Sequence, residues 1–534
     1  MISQAISVDS IDSNREELVE EVTDLRLENR QLKERVAWFE KQLFGSKSEK
    51  RHVAPPEQTS LLGSPTTTPP DESDQQTITY QRGKAKKRRP EDCATDAGLR
   101  FTDEVPIEVI KVTPPELEGE QADQYEVIDT QVRHKLAQRP ASYVVLQYEI
   151  PILKRRVPKE EPSTQAAPTS PTTPAPQLIT PIMPDQVFEN SIADVSVLSG
   201  LLVDKFCYHL PLYRQHQRLS QSGVTVARST LTNWCQRSIE LLRPIVEAQL
   251  RHVLQSKVLA MDETPIKAGR QHKGKMKQGY FWPVYGEADE IVFTYSDSRG
   301  RRQIEALLGQ SFEGTILTDG YAAYARYVKQ TEPVTHAQCW IHCRRHLIDA
   351  RARDPVVVDQ ALDLIGQLYQ VESQIRDQEL ENEKKRDYRL THSKPLVDQF
   401  FQWCEEQIHR PDLTPSDSLM KAIRYAMNRE AELRVFLENP DVQPDTNHLE
   451  RSIRPIPMGR KNWLFCWTEL GAEHVGLIQS LISTCKLHRI NPYTYLTDVL
   501  QRISQHPASR IEELTPGVWK TRFAENPMRS PLQT

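Results

Sequence analysis

At 534 residues the chain is too long for a single hydrophobic core, so three or four folded units joined by linkers are expected. Lys and Arg total 68 against 73 Asp and Glu, a net charge of -5, so composition alone does not announce a nucleic-acid binder and the distribution of charge has to carry that question. The eight cysteines are scattered with no C-x-x-C pair, which argues against a disulfide framework. The N-terminus lacks a signal pattern and no apolar run is long enough for a bilayer, so a cytoplasmic protein is expected.

In chain order, residues 14–45 carry a heptad seam: Leu18, Leu25, Leu32 and Phe39 alternate with Val22, Asn29, Val36 and Leu43. This spacing predicts a coiled coil, and a single Asn in the seam suits a parallel, in-register pair, so a homodimer or higher oligomer is expected. Residues 46–97 read as a disordered linker that includes the basic run Arg82–Arg89. Residues 98–157 suggest a small β-rich module, with strands at Ile107–Ile110 and Ser142–Tyr148. A second linker, rich in Pro and Thr, covers 158–186.

Residues 187–253 are helical in pattern. A helix over Leu212–Gln221 with Pro211 in its first position, a Ser222-Gly223 turn and a helix capped by Ser229 give helix-turn-helix spacing. On that reading Thr230, Thr232, Asn233 and Arg237 face DNA, although a plain helical connector has the same turns. From residue 254 to 470 the pattern becomes α/β. Strands are expected at Lys257–Ile266, Gly279–Tyr285, Glu290–Tyr295, Thr315–Asp319 and Val334–Cys339, with a helix at Arg301–Leu308 and another carrying Arg344 and Arg345. Three meandering strands followed by alternating helix and strand predict a ribonuclease-H-like sheet, interrupted by a helical insertion over 355–440. Residues 471–534 read as a helical C-terminal region.

The chemistry concentrates in three acids. Asp262 and Asp319 each follow a short apolar run, which puts both at strand ends, and Glu450 lies early in a helix. The gap from Asp319 to Glu450 is more than twice that from Asp262 to Asp319, which is where the insertion fits. Three such carboxylates can hold two magnesium ions, or manganese in their place, for phosphoryl transfer. Arg451, Arg454, Arg460 and Lys461 follow Glu450, and together with Arg344 and Arg345 they are candidate phosphate contacts. Cys339, His342, Cys343 and His346 share a helix face; one rigid helix rarely surrounds a tetrahedral ion, so zinc is set aside in favour of packing, and His342 is a candidate cleft residue. Glu263 and Asp445 are reserve acids, and Asp445 also suits a cap of the Glu450 helix.

The strings LFGSKSE, DKFCYHLPLYRQ, STLTNW, MDETP, LTDGYAAY, CWIHCRRH, HLERSIRPIPMGRKNWLF and SLISTCKLHRINPYTYL, in that order along nearly the whole chain, closely resemble transposases of the insertion sequence 66 family, in the DDE group. The resemblance implies a leucine-zipper-like N-terminus, a DNA-binding middle and a catalytic triad on Asp262, Asp319 and Glu450. It further implies double-stranded DNA as partner (terminal inverted repeats and target), accessory proteins of the same element, and a bacterial cytoplasmic protein associated with the nucleoid when bound. Where relatives commonly carry paired C-x-x-C motifs, residues 98–157 carry none, so a zinc module is not expected there; the family's D-N-N reads Asp445-Thr446-Asn447. The rival readings are an inactive DNA-binding repressor and a nuclease that cuts without joining.

Overall fold

The computed structural model describes residues 93–95, 98–102, 105–113, 117, 124–139, 142–155, 178–179, 186–189, 191–309 and 312–533. The coiled coil expected over 14–45 and almost all of both linkers lie outside the described residues. Nearly all of the described residues belong to one compact unit, formed by Lys87–Cys93 and Leu99–Thr534. It is a mixed α/β structure in several layers.

The β-rich module is built on β1 (Ile107–Lys111), β2 (Tyr125–Arg139) and β3 (Ser142–Arg155). β3 is central, parallel to β1 and antiparallel to β2 along nearly its whole length, and Leu178–Ile179 adds a short pairing to it. The strand β2 is not apparent in the sequence. Only its far end, Lys135 to Ala137, is buried, while Glu126–Thr130 is exposed, so most of the strand lacks the apolar alternation that marks one.

Three helices come next: α1 (Val195–Phe206), α2 (Leu212–Gln221) and α3 (Arg228–Val253). Asp194 starts α1 by accepting from Ser196 N–H at 2.9 Å. Two local expectations need correction. Pro211 is the N-cap of α2 rather than its first residue, and α3 is entered through Ala227, so Ser229 lies inside the helix and caps nothing. The link between α2 and α3 is also more than a turn. Val224–Thr225 pairs antiparallel with Arg100–Phe101, which gives the connection backbone partners outside the helix pair.

The central sheet contains β4 (Val258–Met261), β5 (Thr264–His272), β6 (Lys275–Gly286), β7 (Glu290–Ser296), β8 (Thr315–Thr318) and β9 (Thr335–Gln338). Its order is β7-β6-β4-β8-β9, with β5 also on β6. The first three strands of the path are antiparallel, and β4, β8 and β9 run parallel. The single strand expected over Lys257–Ile266 is therefore split. Its two halves keep one register on β6 (Met261 opposite Val284, Thr264 opposite Phe281), and the ladder lapses only at Asp262 and Glu263. That register sets Asp262 opposite Pro283. Proline has no N–H to donate, so a gap in the ladder falls naturally there.

Helices α4 (Arg301–Leu308), α5 (Ala322–Val328) and α6 (Trp340–Ala350) alternate with the last strands. The stretch expected to be helical is so: α7 (Pro355–Asp377), α8 (Asn382–Ile408), α9 (Ser418–Met427) and α10 (Glu430–Glu438). The chain then gives α11 (Asn447–Ile453), α12 (Pro455–Trp463), α13 (Glu469–Leu487), α14 (Pro492–Arg502) and α15 (Pro516–Arg522).

Helix α13 covers the outer edge of the sheet. Ser480 Oγ accepts from Phe293 N–H at 2.9 Å and Thr484 Oγ1 from Ile291 N–H at 3.2 Å, so the free edge of β7 is satisfied by side chains rather than left to pair with another chain. A Cβ on Gly476 would come within 2.5 Å of the Phe293 carbonyl, so only glycine permits this approach. Helix α13 is also tied to α3. His474 Nε2 lies 2.9 Å from Glu240 Oε2, and Arg243 reaches Glu240 at 2.7 Å. Although burial opposes it, hydrogen bonds from His474 and Arg243 hold the Glu240 carboxyl down at about 2.

Inside the insertion, Arg389 is fully buried. It grips both oxygens of Glu372 at 2.8 Å and donates to the carbonyls of Phe436 and Val442 at 2.8 and 3.0 Å. It thereby pins the segment that leads from α10 towards α11.

Two stability measurements test these contacts. Arg389→Met is expected to cost about 3–5 kcal/mol, because Glu372 is left charged without a partner. This is read as a fall in the urea midpoint, and adding Glu372→Leu restores part of the loss; an unchanged midpoint in the single variant would contradict the clamp. The depressed Glu240 carboxyl contributes stability that is present above its ordinary value near 4.5 and lost as pH falls towards about 2. Glu240→Gln is expected to be less stable at neutral pH and to flatten that acid limb of a thermal-melting profile against pH.

Candidate functional site

Asp262 and Asp319 sit at the ends of neighbouring parallel strands. Leu317 pairs with Ala260 in the β8–β4 register, and the same register carries Asp319 alongside Asp262 two residues on, at a strand spacing of about 4.8 Å. Asp262 Oδ1 accepts from Glu263 N–H at 2.7 Å, and Asp319 Oδ1 from Tyr321 N–H at 2.8 Å. Each carboxylate keeps its second oxygen clear of that local turn.

Glu450 reaches the same cleft from α11. Cys339, next after β9, donates its N–H to Thr318 O at 3.2 Å, while its sulfur accepts from both the N–H and the hydroxyl of Thr446 at 3.3 Å. Trp340 N–H donates to Pro444 O at 2.9 Å. Thr446 O then receives the N–H of Glu450 at 2.9 Å. Thr446 holds the N-cap position of α11, and Asp445 just before it takes the first N–H of the helix. It accepts from the backbone and side chain of Asn447 at 2.9 and 2.8 Å.

The electrostatics agree with this convergence. Burial pushes the Asp262 carboxyl up to about 7, with the negative charges of Asp319, Glu263 and Glu450 adding to the effect. His342 lies with Nε2 at 3.8 Å from Glu450 Oε1. Burial lowers its imidazole while Asp319 and Glu450 pull it the other way. Glu450 Oε1 and His342 Nδ1 are both buried without a hydrogen-bond partner among the described residues. Unrelieved like charge and an orphaned carboxylate oxygen suit a hard divalent cation. No three His, Cys, Asp or Glu side chains among the described residues are already drawn in tightly enough to cage one.

Glu263, beside Asp262, is engaged differently. Arg299 pairs with it through both Nε, at 2.7 Å, and Nη2, and Tyr324 donates to it at 3.1 Å. It is a structural acid that braces the strand gap. Arg299 also lies over the Tyr321 ring at 4.1 Å, and Arg429 donates to Gly320 O at 3.1 Å. Neither arginine stands out in the sequence, because each lies in a stretch with no motif and acts through partners far along the chain.

Of the expected phosphate contacts, Arg344, Arg345, Arg451, Arg454 and Lys461 are exposed, and Arg345 stands 3.5 Å from Glu450 Oε2. Arg460 is half-buried and donates to Pro265 O, which joins α12 to β5. Thr232 is exposed, its hydroxyl bonded to Arg228 O at 3.1 Å, and Asn233 is half-buried. Arg237 is not open as expected: its guanidinium lies on the Phe188 ring at 4.2 Å. Cys339 and Cys343 are buried, and His346 stacks on Tyr425 with ring centroids 4.1 Å apart.

No helix among the described residues is long and apolar enough to cross a membrane. Comparison with known proteins bears on the whole arrangement. A family model described as "Transposase IS66 family" matches residues 190–474, one described as "IS66 C-terminal element" matches 480–516, and one described as "Transposase C of IS166 homeodomain" matches 31–98. The last runs across the boundary at residue 45 between the expected coiled coil and linker. Among curated proteins, the chain is similar to the uncharacterized protein y4jD of Sinorhizobium fredii, 29% identical over 353 residues, which cover 63% of this chain and 68% of that one. It is also similar to y4hP of the same organism, 30% identical over 359 residues, covering 62% of this chain and 63% of that one. The first family match takes in both strand-end aspartates, the insertion and Glu450, and on that ground the chain belongs to the IS66 family of transposases.

Proposed function

We propose that the protein is a DNA transposase that binds the terminal inverted repeats of its element, cuts the DNA at their ends and joins the freed 3′-hydroxyls to target DNA. The observation that carries this reading is the meeting of three acids from distant parts of the chain in one cleft, within a family of transposases. The sheet order, antiparallel on one side and parallel on the other, supports a ribonuclease-H-like core.

Asp262, Asp319 and Glu450 would hold divalent magnesium, or manganese, in a pair of sites. Bound there, such ions would supply Lewis-acid activation of the attacking hydroxyl and charge stabilisation of the leaving oxygen. The chain's own groups do the rest. The Cys339 and Trp340 contacts hold Glu450 against the strand ends, so the carboxylates do not have to be gathered at the moment of reaction. His342, with Nε2 3.8 Å from Glu450, could take or give a proton in the cleft. Arg345 beside Glu450, and the exposed Arg344, Arg451, Arg454 and Lys461, would supply positive charge for strand phosphates. Residues 14–45 would pair protomers so that two element ends are held together, residues 187–253 would contribute to end recognition, and small proteins of the same element would assist.

The test is strand transfer with DNA carrying the element's own ends and magnesium. Asp262→Asn, Asp319→Asn and Glu450→Gln are each expected to lower cleavage and joining by about three orders of magnitude while end binding stays within a few-fold. A chelator should do the same to the unaltered protein. Cleavage that persists in Asp262→Asn would refute the assignment. Cutting without joining would mark a nuclease, and binding without either a repressor.

A further inference from the structure

The hairpin formed by β5 and β6 has a composition unlike the rest of the chain. Between Thr264 and Gly286 there are five cations, Lys267, Arg270, Lys273, Lys275 and Lys277, and no acid, in a chain where acids outnumber bases. Lys267, Arg270, Lys273 and Lys275 are exposed, as is the whole tip from Arg270 to Lys275. The arm is continuous with the catalytic sheet: β6 carries the basic tip at one end and pairs with β4, beside Asp262, at the other.

An aromatic platform is fastened to its side. In the loop after α12, Trp467 and Leu464 are each 65% exposed, values that a large apolar side chain does not hold without cost in water. The loop is nevertheless fixed. Cys466 N–H donates to Lys267 O at 2.9 Å and Gly269 N–H to Cys466 O at 3.1 Å, while Lys277 pairs with Glu469 at 2.7 Å. Gly269 has φ +70 and lies against Glu469, which lets β5 accept this bridge. Arg270 lies over the Trp467 ring at 5.6 Å, and Phe465 meets the same ring edge-on at 5.0 Å. A rigid exposed indole set among exposed cations is the pattern that binds an unpaired nucleic-acid strand: phosphates meet the charges, and a base meets the ring.

We infer that the β5–β6 hairpin is a DNA-binding arm, its lysines and Arg270 holding the phosphate backbone beside the cleavage site and Trp467 stacking on a base unpaired there. This rests on the transposase reading and adds to it a second, noncatalytic grip on the DNA.

The test uses the full chain with two probes: a random-sequence duplex, and the same duplex extended by an unpaired 3′ strand that carries 2-aminopurine. Changing Lys267, Arg270, Lys273 and Lys275 together to Gln is expected to reduce the slope of log affinity against log salt by about three to four on either probe. Trp467→Ala should leave duplex affinity within about twofold, weaken binding of the extended probe about tenfold, and abolish quenching of the 2-aminopurine. An unchanged salt slope overturns the arm, as does an unchanged slope accompanied by loss of self-association, which would make the hairpin a contact between copies. Quenching retained in Trp467→Ala overturns the stacking role. Absence of cleavage by the unaltered protein would sink only the parent reading, since neither probe measurement requires chemistry.

Discussion

The cleft depends on two buried neighbours, Cys339 and Trp340, which tie the start of α11 to the strand ends. Cys339 takes the carbonyl next to Asp319 on its backbone N–H and offers its sulfur to Thr446, 107 residues further along, four residues before Glu450. Burial raises the Cys339 thiol, so it stays a neutral acceptor. Sulfur is a weak acceptor, and these contacts alone do not hold a helix in place. Their strength is borrowed from the adjoining Trp340, which is fully buried, donates its indole N–H to Leu433 O at 2.9 Å and is ringed by Phe400, Phe401 and Phe436 from the insertion. The insertion is thus a strut whose packed aromatic interior sets where α11 begins.

The contrast between two adjacent acids arises from this frame. Glu263 is buried with a guanidinium and a phenol aimed at it, which offset part of the burial that still raises its carboxyl. Asp262 meets a backbone N–H and the fields of three other acids. A fold that spends an arginine on one carboxylate and leaves its neighbour among like charges concentrates its unfavourable electrostatics at the cleft. Divalent ions there would relieve that cost, which is the physical link between the geometry and the proposed chemistry.

Much of this was legible in the sequence, for identifiable reasons. Short apolar runs such as Val258–Met261 and Thr315–Thr318 are fully buried strands with one reading available to them, and the insertion's helical periodicity is unbroken over many turns. What could not be read were features decided by partners remote in sequence. The break in the first strand depends on which residue faces Pro283; β2 is a strand because β3 pairs with it along its length; Arg237 is withdrawn by Phe188. For the site, residue type and spacing pick out the three acids, but not Arg299 or Cys339's hydrogen bonds, whose roles exist only once the chain is folded. The start of α3 is misleading in the sequence because Ser229 has the chemistry of a cap, while the helix begins a turn's fraction earlier at a residue with none.

The net negative charge of the chain is no obstacle to the proposed work on DNA. At physiological salt, charges further apart than about 8 Å are largely screened, so a phosphate responds to the groups beside it and not to the sum over the molecule. Many of the chain's acids are also neutralised locally, as Glu240, Glu263, Glu372 and Glu469 are by their arginine or lysine partners. Among the described residues, carboxylates meet in the cleft, and exposed cations stand on α6, on α11 and α12, and on the β5–β6 hairpin. On the proposed reading, a polyanion would be drawn to those cations and repelled by the carboxylates of the cleft. On that same reading, divalent ions seated between the carboxylates would offset that repulsion and let a phosphate settle there.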